Sequence, residues 1–260
     1  MTPGDTPTRF VRAYSDDAME HHAREGLVAA HEAEANRLLR GLPLAAYDRM
    51  LVELRPARLD YKKVLVEPDV PIRDVYFVRD GVASVVAVGQ EGGPIEVAAV
   101  GPEGFVGLPV LLGDRRMAQR VLVQVEGDAW RMSADAFRRL VDEMPAVRQR
   151  FERYAQFYME QVSQSVACNR LHTLEERCAR WLLVTDDRVA AQHFELTHEF
   201  MAQMLGVRRA GVTVALGVLQ REGMVRASRG RVTVLDRERL EAASCDCYQI
   251  TRAAQERLLG

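Results

Sequence analysis

Arginine dominates the charge of the stretch from Glu199 to Leu235. This stretch holds six arginines against two glutamates, a local net charge of +4, whereas the whole 260-residue chain has a net charge of -2. For the attraction to phosphate, this local positive charge matters more than the net charge of the whole chain. Charges in salt solution interact only over a screening length of about 10 Å. The six arginines are Arg208, Arg209, Arg221, Arg226, Arg229 and Arg231. Since guanidinium groups bind both phosphate and guanine, the pattern favours DNA as the partner.

Sulfur chemistry is the second candidate. The chain has four cysteines, Cys168, Cys178, Cys245 and Cys247, all in its C-terminal half, and they give no disulfide framework. Cys245 and Cys247 could join Cys168 or Cys178 in a redox or zinc site. However, two residues separated by one position point apart on a helix. We therefore interpret them as partly buried thiols that act as small apolar groups, and we predict no metal site and no cofactor.

Residues 36–167 contain neither histidine nor cysteine. This excludes a haem or soft-metal site built from side chains of that region, and with it a metalloenzyme that needs a histidine cluster. His21, His22 and His31 precede the region and are interpreted as exposed surface side chains. No nucleophile–base arrangement is evident elsewhere, so the chain is predicted not to be an enzyme.

The arginine-rich stretch has the spacing of a helix-turn-helix. Thr197 is a suitable N-cap for the first helix, and Gly206 ends it. Ala202, four residues before Gly206, allows close helix crossing, and Val212, six residues after it, locks the second helix onto the first. An ordinary helical hairpin in a core is the alternative. The following segment MVRASRGRVTVLD contains two β-prone runs around a turn, which favours a winged helix-turn-helix.

The spacing of apolar residues in the first half of the chain changes after about residue 54, from a helical pattern to one of β-strands. Short β-prone runs alternate with turn signals such as Asp80-Gly81, at a spacing of about ten residues. This predicts an α+β fold in which an N-terminal antiparallel β-barrel or double-sheet jelly roll spans residues 34–145. Residues 1–33 are polar and are predicted to be a flexible N-terminal extension.

A long helix is predicted over residues 146–171. It carries a narrow apolar seam, which is typical of a helix with one partner helix, although packing against its own barrel is the alternative. The seam residues, predicted to form a dimer interface, are Val147, Phe151, Tyr154, Tyr158 and Val162. Residues 172–260 then form the predicted DNA-binding domain, which opens with a Thr173/Glu176 capping box and ends in a helical tail.

No apolar run approaches the ~18–20 residues of a membrane span. The segment MTPGDTPTRF lacks the charged-then-apolar pattern of a secretory signal. We therefore expect a cytoplasmic protein without a membrane partner.

A β-barrel, a long dimer helix and a winged helix-turn-helix, in this order, resemble the Crp/Fnr family of bacterial transcription regulators. The resemblance covers about residues 34–240, and its specific points are the FVRDG segment (77–81), the GFVGL segment (104–108) and the helix-turn-helix. It implies a homodimer that binds palindromic promoter sites, RNA polymerase as a partner, and an effector in the barrel that switches DNA affinity.

The effector pocket departs from the cyclic-nucleotide binders of the family. Those proteins use a glutamate for the ribose hydroxyl and an arginine for the cyclic phosphate; the matching positions here are Phe105 and Met117. The resemblance places the pocket at Gly104, Phe105, Val106, Gly107, Leu108, Met117 and Arg120. A shifted arginine (Arg115, Arg116 or Arg120) remains the alternative to a non-nucleotide effector. The chain also lacks the N-terminal cysteines with which the oxygen-sensing branch holds an iron–sulfur cluster.

In the recognition helix, Arg209 matches the family's first base-reading arginine, but Ala210 and Val214 replace the following glutamate and the second arginine. The half-site should therefore differ from that of the cyclic-AMP receptor. The predicted DNA-binding residues are Thr197, Arg208, Arg209, Ala210, Thr213, Val214, Arg226, Arg229 and Arg231. The alternative function is a small-molecule sensor subunit whose main output is a protein partner.

Overall fold

The computed structural model describes residues 30–31, 34–88, 93–228 and 230–260. The predicted extension over residues 1–33 lies almost wholly outside these ranges, and Arg229 lies outside them too. The helices are α1 Arg37–Arg40, α2 Leu44–Leu51, α3 Leu108–Leu112, α4 Ala134–Glu143, α5 Pro145–Leu171, α6 Leu174–Asp186, α7 His198–Leu205, α8 Arg209–Arg221, α9 Arg237–Ala243 and α10 Cys247–Leu259. The strands are β1 Arg55–Leu59, β2 Val64–Val66, β3 Asp74–Val78, β4 Val82–Val88, β5 Pro94–Val100, β6 Phe105–Val106, β7 Arg120–Val125, β8 Gly127–Ser133, β9 Phe194–Glu195, β10 Val225–Ser228 and β11 Arg231–Val234.

The first eight strands form two four-stranded antiparallel sheets, in the orders β1-β8-β3-β6 and β2-β7-β4-β5. The predicted double-sheet arrangement is confirmed. Closure into a barrel is not found, because no strand pairing within the described ranges joins one sheet to the other. The two-residue strand β6 was absent from the sequence-based prediction, since a run this short has no measurable periodicity.

The Asp80-Gly81 turn carries the chain from one sheet to the other rather than closing a hairpin. β3 belongs to the first sheet and β4, which follows the turn, belongs to the second. Gly81 has a φ of +89°, which side chains rarely adopt, and a Cβ there would lie 2.6 Å from the carbonyl oxygen of Val125. Only glycine therefore allows this crossing.

Aromatic rings fill the interior beneath the first sheet. Phe105 lies 5.2 Å, between ring centroids, from each of Phe137, Phe151 and Tyr154, and 5.8 Å from Phe77. These rings come from β3, β6, α4 and α5, so one cluster joins the sheet to the long helix. The edge-to-face and offset geometries among them are the favourable ones for aromatic pairs.

The long helix α5 begins at Pro145, a residue suited to the first helical position because its missing N–H would have no partner there. Its side chains Val147, Phe151 and Tyr154 are at most 1% exposed within the protomer. These three side chains pack into the protomer's own core, which was the alternative to a dimer contact, and the dimer interface itself stays a prediction. The remaining two predicted residues, Tyr158 and Val162, are only partly buried.

A different seam of α5 is exposed. Met159 and Val166 are 61% and 66% exposed, and Val162 lies between them on the same face. With Ala155 this gives steps of four, three and four residues, the spacing of a coiled-coil seam. The seam that contains Val147, Phe151 and Tyr154, here called the aromatic seam, is more apolar in the sequence than the exposed seam. Its side chains are large and apolar because they pack into the chain's own core.

The predicted DNA-binding part opens at α6 with the predicted capping box, in which Thr173 and Glu176 exchange hydrogen bonds. The helices α7 and α8 follow, and then the hairpin of β10 and β11. A third strand, β9, pairs with β11 through Phe194 and Val232. Local sequence patterns could not predict β9, because its pairing with β11 spans almost forty residues. The wing is therefore anchored on both sides of the helix-turn-helix.

The last helix, α10, returns along α5. Arg150 donates from Nη2 to the carbonyl oxygen of Leu259 (2.8 Å), and Arg257 forms an ion pair with Glu160 (2.7 Å). With about 100° of rotation per residue, Glu160 lies on a different face of α5 from Met159 and Val166. The predicted helical tail is thus present, and it leaves the exposed seam uncovered. Among the described helices, none is long and apolar enough to cross a lipid bilayer.

Candidate nucleic-acid interface

The turn between α7 and α8 has the predicted geometry. Gly206 ends α7 with a φ of +64°, and the N–H of Val207 donates to the carbonyl of Ala202 (3.0 Å). Ala202 and Val212 are both buried at the helix crossing. Thr197 caps α7, its hydroxyl oxygen accepting from the N–H of Phe200 (3.1 Å). Because all these signals are local in the sequence, this part of the fold could be derived from the residues alone.

The outward face of α8 carries the predicted base-reading residues. Arg209, Ala210, Thr213 and Val214 are exposed, Val214 by 61%. Arg208 is the N-cap residue and makes no side-chain capping hydrogen bond. The N–H of Gly211 already donates to the carbonyl of Arg208 (2.9 Å), which leaves the N–H groups of Arg209 and Ala210 to a phosphate at the positive end of the helix.

A cleft separates the start of α8 from the wing. Its lining includes three predicted residues from distant parts of the chain, Thr197, Arg209 and Arg231. It also includes His198 and Glu199, which sequence reasoning did not select because neither belongs to a motif position. The wing and the recognition helix thus form one continuous surface with a depression between them.

The Thr213 hydroxyl is already engaged within the protein. Its Oγ1 donates to the carbonyl of Arg209 (3.1 Å) and lies 2.9 Å from Nδ1 of His198. Thr213 therefore positions the His198 ring beside the recognition helix, and the ring's other nitrogen is the polar atom left to face a ligand.

The charge state of this surface depends on whether its arginines are already paired with carboxylates. Within the described ranges, none of the five arginines around α8 and the wing takes part in an ion pair; they are Arg208, Arg209, Arg221, Arg226 and Arg231. By contrast, Arg237 and Arg239, just beyond the wing, are paired with carboxylates at 2.5–3.1 Å. Exposed guanidinium groups without an internal partner are free to bind phosphate.

The predicted effector position is filled. Phe105 is 1% exposed and sits in the aromatic cluster, and Met117 packs against the same core. The nearby arginines point outward, where Arg115 pairs with Asp135, Arg120 pairs with Glu67 (2.9 Å), and Arg116 donates to the carbonyl of Asp69 (2.6 Å). None of the three is therefore directed at the buried Phe105 position.

Two family models match the chain, a Crp-like helix-turn-helix domain over residues 176–243 and a cyclic nucleotide-binding domain over residues 58–144. The transcriptional regulator SdrP of Thermus thermophilus is 28% identical over 188 residues, 66% of this chain and 86% of SdrP. The chain belongs to the Crp/Fnr family of transcription regulators. It has the DNA-binding helix-turn-helix of that family and a cyclic-nucleotide-binding-like domain.

Solved structures with the same fold include a Crp/Fnr-family regulator from Eubacterium rectale and FixK2 from Bradyrhizobium japonicum. The first has a TM-score of 0.62 and 20% identity, covering 82% of this chain and 97% of that one. The second has a TM-score of 0.63 and 17% identity, covering 74% of this chain and 98% of that one.

In this Crp/Fnr protein, buried polar contacts join the double sheet to the DNA-binding part. Trp181 donates from Nε1 to Glu96 (3.0 Å), Gln124 donates to the hydroxyl of Thr185 (2.8 Å), and Ser84 contacts both Glu96 and Gln124. A second link is the buried ion pair between Glu103 and Arg188, at 2.8 Å. The second sheet thus contacts the first helix of the DNA-binding part directly.

The Glu96 contact predicts a pH dependence of stability. Burial raises the pKa of Glu96 above its ordinary value of 4.5, so the folded state binds this proton more tightly than the unfolded state does. Its stabilising contribution is therefore greatest near and below pH 4.5 and is lost as the pH rises through the raised pKa. Glu96→Gln should raise the melting temperature at about pH 8 and leave it unchanged in acid.

Glu160→Gln is the matched control, for which the change in melting temperature should have the opposite sign. A hydrogen bond from Arg257 lowers the pKa of Glu160, so its contribution is present at neutral pH and is lost in acid. This variant should melt lower than wild type at neutral pH. If the melting temperature of Glu96→Gln fell at about pH 8 as well, Glu96 would be ionised in the folded protein and the expected sign would be wrong.

Proposed function

We propose that this regulator binds a palindromic DNA site as a homodimer, with α8 of each copy in the major groove. The observation that carries this proposal is the set of unpaired, exposed arginines around α8 and the wing. Arg209 and Val214 lie on the exposed face of α8, from which side chains would reach base edges. Arg226 and Arg231 lie on the wing strands, from which they would bind phosphate groups. A bacterial regulator of this kind acts on RNA polymerase, which we propose as the protein partner.

The dimer is proposed to form through the seam of α5 in which Met159 and Val166 are exposed, Val162 is half-buried and Ala155 is buried. Apolar side chains at Met159, Val162 and Val166, in steps of three and four residues on an uncovered helix face, support a two-helix contact. This arrangement leaves the aromatic seam in the protomer core and α10 on another face of α5. Two recognition helices related by a two-fold axis would then reach half-sites one helical turn apart.

The double sheet is proposed to work without a cyclic nucleotide. Phe105 and Met117 cannot accept from a ribose hydroxyl or neutralise a phosphate, and aromatic rings occupy the space around Phe105. Any effector of this protein should therefore be of another chemical class, unless the double sheet is only a scaffold for constitutive binding.

Arg209→Ala tests the assignment of the recognition helix. Loss of a bidentate guanine contact should cost about 1–3 kcal/mol of specific binding and relax the preference at one base position. The binding site is first selected from random double-stranded DNA, and the variant is then measured on that site and on its single-base variants. Arg231→Ala should instead weaken binding to all sequences and lower the salt slope by about one.

Arg139→Ala is the control, because it removes the same charge from the double-sheet side, where Arg139 pairs with Glu53. It should change neither affinity nor sequence preference. An Arg209→Ala variant with an unchanged base preference would show that another element reads the bases. Failure of the wild-type protein to select any site would count against sequence-specific binding itself.

A further inference from the structure

Three cysteines and one histidine meet where α5 ends and α10 begins. One ligand atom from each of Cys168, His172, Cys245 and Cys247 lies within 4.8 Å of all the others. The Sγ atoms of Cys168 and Cys245 are 3.6 Å apart, and Sγ of Cys247 is 3.4 Å from Nδ1 of His172. The three cysteines are at most 4% exposed and form a cluster of their own, separate from the two large cores.

Two features of the fold bring these four side chains together. Cys168 lies in the last turn of α5, and His172, its C-cap, follows four residues later, so both side chains leave the same face of the helix end. Cys245 precedes α10, whereas Cys247 is its first residue. The expectation that the two side chains point apart on a helix fails here, because Cys245 is not part of the helix. Its carbonyl accepts from the N–H of Tyr248 (3.1 Å) in the turn that starts α10.

The groups around the cluster have the arrangement of an outer ligand shell. Nε2 of His172 lies 3.4 Å from a carboxylate oxygen of Asp246, which leaves Nδ1 directed at the sulfurs. Metal-bound histidines usually donate their second ring N–H to such a carboxylate. Gln164 donates from Nε2 to Sγ of Cys247 (3.0 Å), a hydrogen bond that favours a thiolate.

The distances select the kind of metal centre. A tetrahedral ion with bonds of about 2.3 Å to sulfur and about 2.0–2.1 Å to nitrogen separates its ligand atoms by roughly 3.5–3.8 Å. The observed 3.6 Å and 3.4 Å match these separations, and the other pairs, none wider than 4.8 Å, would close by about 1 Å at most around one ion. An iron–sulfur cluster would need the sulfurs farther apart, because several iron atoms lie between them.

We propose that Cys168, His172, Cys245 and Cys247 bind a single Zn²⁺ ion that clamps α10 to the end of α5. On binding, the three thiols lose their protons to solvent, and the neutral imidazole coordinates through Nδ1. With four protein ligands the ion has no open position, which makes the site structural rather than catalytic. Nothing in this proposal depends on how the protein recognises DNA.

Metal content measured on the purified full-length protein tests the proposal. After expression with added zinc, purification under reducing conditions and dialysis, elemental mass spectrometry should find about one zinc ion per chain. Cys168→Ser, Cys247→Ser and His172→Ala should each lose most of it. His172→Cys should retain it, because a four-cysteine set also binds zinc tetrahedrally, and this rescue separates a lost ligand from a damaged fold.

Cys178→Ser is the matched control. Cys178 is buried in α6 away from the cluster, and burial raises the pKa of its thiol to about 12, so it is a poor ligand. This variant should keep its zinc. Asp246→Asn should keep the ligands but weaken zinc affinity by about 10–100-fold in competition with a chromophoric chelator.

Three results would overturn the proposal. The first is a reduced wild-type protein that neither contains zinc nor takes it up from solution in competition with the chelator. The second is a Cys168–Cys245 disulfide in the protein isolated from cells, since that would make the pair a redox site. The third is an equal loss of zinc in Cys178→Ser and the ligand variants.

Discussion

Replacing Met159 and Val166 together with glutamate should convert the protein to a monomer. Both side chains are exposed in the protomer, so the substitution should leave the fold of a single copy intact. In the proposed dimer it would place carboxylates opposite each other in an apolar contact, which costs several kcal/mol. A monomer contacts one half-site, and its affinity for a palindrome should fall by about 10³-fold or more, towards that of non-specific binding.

Leu171→Glu is the control for this experiment. Leu171 is 73% exposed on a different face of the same helix, so it introduces the same chemical change away from the proposed contact. Sedimentation velocity gives the oligomeric state, and gel shifts on a palindrome and on a half-site give the affinities. A double variant that remains dimeric and binds the palindrome normally would place the dimer contact elsewhere.

Truncating Phe105 should have the largest effect on stability. Phe105→Ala removes a ring that contacts four other aromatic side chains, and the free energy of unfolding should fall by about 3–5 kcal/mol. Phe105→Leu, which keeps more of the buried volume, should lose less of this free energy, which urea denaturation can measure.

The same cluster predicts the outcome of rebuilding a nucleotide site. Phe105→Glu with Met117→Arg supplies the two groups that cyclic-nucleotide binders use, but it buries a carboxylate among aromatic rings. We expect this double variant to be strongly destabilised and not to bind cyclic AMP or cyclic GMP. The wild-type protein should show no rise in melting temperature with either nucleotide, although a ligand at 100 times its dissociation constant would add about 2.7 kcal/mol. A clear rise would mean that a cyclic nucleotide binds the folded protein after all.

The helix-turn-helix could be predicted because its signals lie close together in the chain. Thr197, Ala202, Gly206 and Val212 act within one helical hairpin, and each has the predicted place in the structure. The candidate DNA surface was likewise largely predictable, since exposure on α8 follows from helical spacing. His198 was missed because its contact with Thr213 joins two helices and leaves no periodic trace.

The long helix shows where periodicity is insufficient. Two apolar seams lie on α5, and apolarity alone favours the one with Phe151 and Tyr154 over the one with Met159 and Val166. Which seam meets its own sheet depends on rings supplied by β3, β6 and α4, far away in the sequence. The cysteines show the same limit, because the residue at which α10 begins decides whether Cys245 and Cys247 point apart or towards one another.

The side-by-side packing of α5 and α10 restricts how the DNA-binding part can move. The chain enters that part through α5, and α10 returns along α5 until its side chains Ala254 and Leu259 join the core of the double sheet. One covalent connection and one packed contact to the double sheet therefore run through the same helical pair. A domain on a single linker can rotate about many axes, but here any rotation must displace two packed helices together. A shift of α10 along α5 by a whole helical turn of about 5.4 Å would break the ion pair between Arg257 and Glu160, so this contact fixes the register of the two helices. A signal between the two parts of this protein would therefore have to change the register of these two helices or the direct contacts from Glu96 to Trp181 and from Glu103 to Arg188.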